Sequence, residues 1–355
     1  MSETLDWQRV ADPRAVIHYA VQSLQRGLTV AFPAADGHAT AASALVSEAV
    51  ERLAPGDDEL TVVLRTADEA RDWVPWLGSS ALRLARRLLL GRAVLSVGGS
   101  IDNGLASQLP EAVRRRLGAA GRLRLALPEH EALREVLRHL PDPVLMAQPR
   151  REPIADVIVA DEPPRSEPAT VVAVDDARWE VVRPGAMSEE EVRRRAARWI
   201  VFVCTGNTCR SPLAEALCKK RLCEQLACPI ETLPERGYHV MSAGLAAMPG
   251  FNAALEAEQV ARGYGIDLST HRSQPLTGDL AANADYLVGM TENHVRALTD
   301  YFGEEIVAPC RLDPSGDIAD PIGREQSVYD DCAAAIWQHL ESFLAEIVPS
   351  EASQP

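Results

Sequence analysis

The run Cys204-Thr205-Gly206-Asn207-Thr208-Cys209-Arg210-Ser211-Pro212 places a soft nucleophile and, six positions on, a planar cation in one short segment. The apolar run WIVFV precedes it and the helix-compatible SPLAEALCKKRLCEQL follows. A loop passing from a strand into a helix N-terminus presents backbone N–H groups without intrahelical partners, and these together with the helix dipole favour an anion. The same field lowers a thiol pKa, so Cys204 at the start of the loop is expected to be nucleophilic near neutral pH. Arg210 can curl back and offer a fork to two phosphoryl oxygens, holding a substrate in line and stabilising equatorial charge. Ser211 is placed to donate to a leaving thiolate, Asn207 to brace the loop, Gly206 to permit an unusual backbone angle, and Pro212 to begin the helix. A cysteine and an arginine six apart are, alone, equally a buried thiol beside a surface cation. The strand before and the Gly-Asn and Ser-Pro around them favour the chemical reading.

The elements that must position this loop alternate. From Ile200 the pattern runs strand (WIVFVC), helix, strand (YHVMSAG), helix (NAALEAEQVARGYG), strand (ADYLVGM), helix (ENHVRALTDYF), strand (EEIVAPC) and a final helix (DDCAAAIWQHLESFLAEIV). This predicts a doubly wound, four-stranded parallel sheet with helices on both faces, which binds ligands at the carboxyl ends of its strands. Upstream, a helix over 14–26 leads into LTVAFP, and further strands are expected at 61–65, 93–99, 122–127, 142–147 and 155–160, then in TVVAV and WEVV. Arg-rich helices are expected at 81–90 and 129–139. The whole chain thus reads as α/β with two domains, and SEEEVRRRAARW suits a charged helix between them.

A length of 355 residues, 46% of them apolar and 25% charged, asks for two cores. No stretch approaches the roughly 18 apolar residues of a membrane span, and the N-terminus lacks the basic start and apolar run of a secretory signal, so a cytoplasmic protein is expected. The net charge of −15 argues against bulk nucleic-acid binding, though not against a local pocket for one phosphoryl group. All seven cysteines (Cys204, Cys209, Cys218, Cys223, Cys228, Cys310, Cys332) lie in the C-terminal part. Their odd number suggests thiols rather than a disulfide framework, and no pair has CxxC spacing, so neither a structural metal nor a cofactor is expected.

The segment VFVCTGNTCRSPLAEAL resembles the signature of the low-molecular-weight protein tyrosine phosphatase family, most closely the bacterial branch that includes protein arginine phosphatases. MSAGLAAMPG at 241–250, GIDLSTHRSQPL at 265–276 and DIADPIG at 317–323 extend the likeness. The resemblance implies that Asp320 is the general acid, with Asp313-Pro314 a nearby decoy followed by Ser-Gly rather than Ile-Gly. It implies a phosphocysteine intermediate, a phosphorylated protein as substrate and inorganic phosphate as product. Thr205, Gly206, Asn207, Thr208, Cys209 and Ser211 would line the phosphate site, and Cys209 would form a reversible disulfide with Cys204; a packed residue is an equal reading of Cys209. Thr208 stands where tyrosine-specific members have a larger aliphatic residue and arginine phosphatases have Thr, which favours phosphoarginine. Ile322 departs from the aromatic residue usual there. Arsenate reductases share fold and loop but resolve their cysteine with further cysteines absent from NADYLVGMTENH, and rank third.

Residues 14–188 resemble the YrdC-type domain of threonylcarbamoyl-AMP synthases through AVQSLQRGLTVAFP, PATVVAV and VVRPGAMSEEEV. Where that family has catalytic runs, this chain has AADGHAT, RLAPGDDEL and MAQPRR, so a catalytically degenerate relative is expected, and the alternative is a tRNA-modification protein with an auxiliary phosphatase domain. Arg183, Pro184 and Gly185 survive. The expected layout is a YrdC-like domain over 1–188, a charged linker helix over 189–198, a phosphatase domain over 199–350 and a disordered tail over 351–355.

Overall fold

Short runs of Val, Leu and Ala bounded by Gly, Pro and charged residues give the N-terminal half its strands: β1 (Glu3–Asp6), β2 (Val30–Ala34), β3 (Gly37–Ser43), β4 (Thr61–Val63), β5 (Ala93–Gly98), β6 (Arg122–Ala126), β7 (Val144–Met146), β8 (Val157–Ala160), β9 (Thr170–Asp175) and β10 (Arg178–Arg183). The computed structural model describes residues 2–9, 12–35, 37–53, 59–119, 121–162, 167–175, 178–303 and 306–348. The tail expected at 351–355 lies outside them. The chain divides into two units, Met1–Arg195 and Ala196–Pro355.

In the first unit the ten strands form one mixed sheet in the order β1-β8-β2-β3-β7-β4-β6-β5-β9-β10. The helices are α1 (Pro13–Gln25), α2 (Ser47–Leu53), α3 (Ala70–Trp73), α4 (Ser79–Leu89), α5 (Glu111–Gly118), α6 (Glu131–His139) and α7 (Glu189–Ala196). Asp12 caps α1, its side chain accepting from Arg14 N, and Pro13 opens the first turn. The apolar stripe of α1, Val16, Ala20 and Leu24, packs in one cluster with Leu133, Val136 and Leu137 of α6 and with β2 and β8. Strand β3 escapes sequence reading because GHATAAS is nearly all small residues. Its Gly37 has φ +125, and a Cβ there would meet Arg150 O at 2.4 Å, so only glycine permits that approach.

The helix expected as a charged linker over 189–198 is shorter and docked. Glu189–Arg193, Glu190–Arg194 and Glu191–Arg195 pair along its face at 2.8, 2.6 and 2.8 Å. Arg87 Nε donates to Arg195 O at 2.8 Å, and a Cβ on Gly91 would come within 2.6 Å of Arg195 Nε. These contacts fix α7 on the first unit.

The second unit is built on β11 (Arg198–Cys204), flanked by β12 (Tyr238–Gly244) and β13 (Tyr286–Gly289), with β14 (Cys310–Arg311) outermost. The order is β12-β11-β13-β14 and every pairing is parallel. Period-two alternation along β11 divides its side chains between two cores. Ile200, Phe202 and Cys204 join α8 (Arg210–Leu226), α9 (Leu255–Gly263) and α12 (Gln326–Ile347). Val201 and Val203 join α10 (Gly278–Asn283) and α11 (Glu292–Phe302). Helices therefore cover both faces, and the register puts Cys204 on the α8 side. Phe202 stacks edge-on with Phe343 at 6.1 Å and is fully buried; truncation to Ala would cost about 3–5 kcal/mol. The expected last strand, EEIVAPC, reduces to Cys310–Arg311: Pro309 cannot donate to a ladder, and Glu304 and Glu305 lie outside the described residues.

Candidate active site

All four parallel strands of the second unit deliver their carboxyl ends to one place. Cys204 ends β11, is 3% exposed, and pairs in register with Gly244 at the end of β12. A Cβ on Gly244 would meet Thr205 O at 2.6 Å and Asn207 N at 3.0 Å, so the glycine of the Ser-Ala-Gly segment lets the phosphate loop lie against the neighbouring strand. The loop then enters α8, whose first turn supplies unpartnered N–H groups.

Asn207 is the knot of the loop. It is fully buried and its Nδ2 donates to Ser211 Oγ at 3.0 Å and Ser242 Oγ at 2.9 Å, while its Oδ1 accepts from Gln274 N at 2.9 Å. Its carbonyl lies 2.9 Å from His271 Nε2, and its own N–H donates to Cys204 Sγ at 3.3 Å. Gly206 is expected to permit an unusual backbone angle; the left-handed conformation in the loop is taken by Asn207, with φ 55. The bonds around the Asn side chain and carbonyl hold it there, and a Cβ on Gly206 would meet only Thr208 Oγ1, at 3.6 Å.

Ser211 Oγ stands 3.0 Å from Cys204 Sγ. Because Asn207 donates to that oxygen, the serine proton is available to the sulfur or to Ala243 O at 3.3 Å. Ser242 in turn donates to Glu215 Oε2 at 2.6 Å, and Glu215 pairs with Lys219. A continuous polar chain thus runs from a helix-surface cation through Glu215, Ser242, Asn207 and Ser211 to the nucleophile.

Arg210 is 5% exposed, and its guanidinium is held from the far side: Nη2 donates to Asp320 Oδ2 at 2.6 Å and Nη1 to Ile318 O at 3.3 Å. Asp320 Oδ1 accepts from Ile322 N at 3.2 Å, an Asx turn that fixes the carboxylate. Asp313 is absorbed elsewhere, accepting from Ser315 N and Oγ at 2.8 and 2.7 Å, which hold its carboxyl below the usual range. Of the second unit's two Asp-Pro pairs only Asp320 meets the arginine.

Thr205, exposed, places Oγ1 3.0 Å from His294 Nε2, and His294 Nδ1 lies 2.9 Å from Thr291 Oγ1, the N-cap of α11. Burial, and secondarily the Arg210 charge, lower the His294 pKa to about 4, so the ring is neutral at working pH. Thr208 is half-buried with its hydroxyl 3.6 Å from Cys209 Sγ, which is also 3.6 Å from Tyr329 Oη. Burial raises the Cys209 pKa, keeping it a thiol. All seven cysteines are unbridged.

Ser242, His271 and Gln274 lie in segments whose likeness is visible in sequence, without their roles being so. Glu215 could have been found as the carboxylate five residues beyond Arg210 on α8, and His294 from its place in the first turn of the helix that follows β13. Among the described residues no cluster of His, Cys, Asp and Glu could hold a metal ion, and no helix is long and apolar enough to cross a membrane.

The sequence profile of the low molecular weight phosphotyrosine protein phosphatases matches residues 199–352. A probable low molecular weight protein-tyrosine-phosphatase, EpsP, of Ralstonia solanacearum is 33% identical over 150 residues, 42% of this chain and 94% of its own. Protein-arginine-phosphatases of Geobacillus stearothermophilus and Bacillus subtilis are 36% and 35% identical over 135 and 142 residues, each 37% of this chain and 82% and 83% of their own. Through its second unit the chain belongs to the low molecular weight phosphotyrosine protein phosphatase family.

Proposed function

We propose that the second unit is a cytoplasmic phosphoprotein phosphatase acting through a phosphocysteine, with phosphoarginine preferred to phosphotyrosine. The observation that carries this reading is the placement of Cys204 Sγ at 3.0 Å from Ser211 and at the foot of α8, with the buried Arg210 tied to Asp320. The thiolate attacks phosphorus as the bond to the leaving oxygen or nitrogen breaks, and Asp320 gives its proton to that atom. Arg210 and the loop N–H groups hold the three equatorial oxygens. Water, deprotonated by the Asp320 carboxylate, then attacks phosphorus; inorganic phosphate leaves, and the departing thiolate accepts the Ser211 hydrogen bond. No metal or cofactor is required by these steps.

Thr208 supports the phosphoarginine preference, as does similarity to two proteins named protein-arginine-phosphatases. A protein substrate is favoured by exposed apolar side chains beside the loop: Met248, Phe251 and Leu255 on the segment whose Ala246 N and Ala254 N donate to Thr205 O and Thr208 O, and Ile322 after Asp320. The first unit we read as a degenerate YrdC-like domain. The phosphocysteine is tested by acid-quenching the Asp320→Asn chain with a phosphopeptide and sequencing the labelled peptide by mass spectrometry. Phosphate on Cys204 is the expected result; an unlabelled protein during turnover would overturn the mechanism.

A further inference from the structure

The phosphatase chemistry leaves the first unit without a task, yet that unit encloses a cavity of about 800 Å³, the size of a small-molecule site. Its apolar wall includes Phe32, Leu89, Leu127, Leu133 and Met146. Four arginines, Arg92, Arg124, Arg134 and Arg183, line it against two glutamates, Glu59 and Glu129. Arg92 pairs with Glu129 at 3.3 Å and Arg124 with Glu59, which leaves a cationic excess on this concave surface in a chain of net charge −15.

Arg124 is the decisive residue. It lies in the middle of β6, 7% exposed, where an ionised side chain is costly unless fully partnered. Glu59 pairs with Nη1, and the Gln148 amide, with its oxygen turned to the guanidinium, accepts from Nη1 at 2.9 Å and Nη2 at 3.1 Å. The Nε has no partner. Burial and the neighbouring Arg183 lower Arg124 to about 10, while Glu59, its side chain 56% exposed, is partly screened by solvent. The guanidinium is therefore held beside a second cation with its hydrogen-bonding capacity unfilled, at the edge of an apolar chamber. An anion entering the chamber would offset the charge of the two neighbouring guanidinium groups.

We propose that the first unit binds a small organic anion with an apolar body, its carboxylate or phosphate group held by Arg124 and Arg183 and its body lying against Leu133 and Met146.

The test is calorimetric titration of the full chain with octanoate, hexylphosphonate and the neutral octanamide. Arg210→Ala serves as a control that removes the second unit's own anion clamp. Expected are one site per chain for at least one anion, retained in Arg210→Ala, with octanamide at least tenfold weaker. Which anion binds more tightly distinguishes carboxylate from phosphate. Arg124→Gln should weaken the anion at least tenfold, and Leu133→Trp, which fills the chamber, should abolish binding. Arg183→Ala alters a side chain at the rim and keeps the test open should Arg124→Gln fail to fold. Circular dichroism melts report folding. Equal binding of octanoate and octanamide, no binding of either anion at millimolar concentration, or affinities unmoved by Arg183→Ala and Leu133→Trp would overturn the proposal.

Discussion

Lowering the pH should loosen the second unit through His294, and the size of the effect follows from its burial. The ring is 5% exposed, wedged between Thr205 and Thr291, with a pKa of about 4 against an ordinary 6.5. Because the folded pKa is depressed, the unfolded chain binds the additional proton, so stability is complete above about pH 6.5 and falls as the pH drops towards 4. Between pH 7.5 and 5 this one group should remove about 2 kcal/mol, approaching about 3 kcal/mol below pH 4. Urea unfolding followed by NMR through the amides of Ile200 to Val203 reports the second unit specifically. His294→Gln keeps a hydrogen-bonding side chain without the titration, so its stability should fall by about 2 kcal/mol less than the wild type over that interval. Equal losses in the two proteins, or a ring titrating near 6.5, would refute the reasoning.

Ser211→Ala removes the donor to the departing thiolate, and kcat should fall roughly 10- to 100-fold, as for loss of a charge-assisted hydrogen bond, with the phosphoenzyme accumulating in a stopped-flow burst. Asp320→Asn should lower kcat by about 10²–10⁴ and flatten the pH–rate profile, with a smaller loss for substrates whose leaving group needs no proton. Asn207→Ala strands several buried donors and acceptors and puts an alanine at φ 55, so chemical denaturation should show a loss of about 3 kcal/mol. If Cys209 protects the nucleophile, peroxide inactivation should be reversed by dithiothreitol in the wild type and not in Cys209→Ser.

Much of the second unit is legible in its sequence because its strands and helices repeat a period at each step. YHVMSAG and ENHVRALTDYF coincide with β12 and α11, and WIVFVC differs from β11 by one residue. The strand-to-helix loop brought Cys204, Asn207, Arg210 and Ser211 together in advance, since one segment carries all four. Contacts between distant segments were not legible. Nothing local says that Glu215 reaches Ser242, that His271 meets the Asn207 carbonyl, or that a histidine on α11 holds Thr205. The positive φ of the loop falls on Asn207 for a reason its residue type does not announce: side-chain bonding, not the freedom of the neighbouring glycine, holds it there. In the first unit β3 was missed because alanine and glycine carry little periodic signal, and α7 looked like a linker because its exposed ion pairs conceal the contacts of Arg195.

The most direct test of the proposed activity is phosphate release by the purified chain from matched phosphoarginine and phosphotyrosine peptides, with Cys204→Ser and Thr208→Ile in parallel. The expected result is faster release from phosphoarginine, abolished by Cys204→Ser and shifted towards phosphotyrosine by Thr208→Ile. Faster turnover of phosphotyrosine by the wild type would contradict the substrate preference, and release that survives Cys204→Ser would contradict the nucleophile itself.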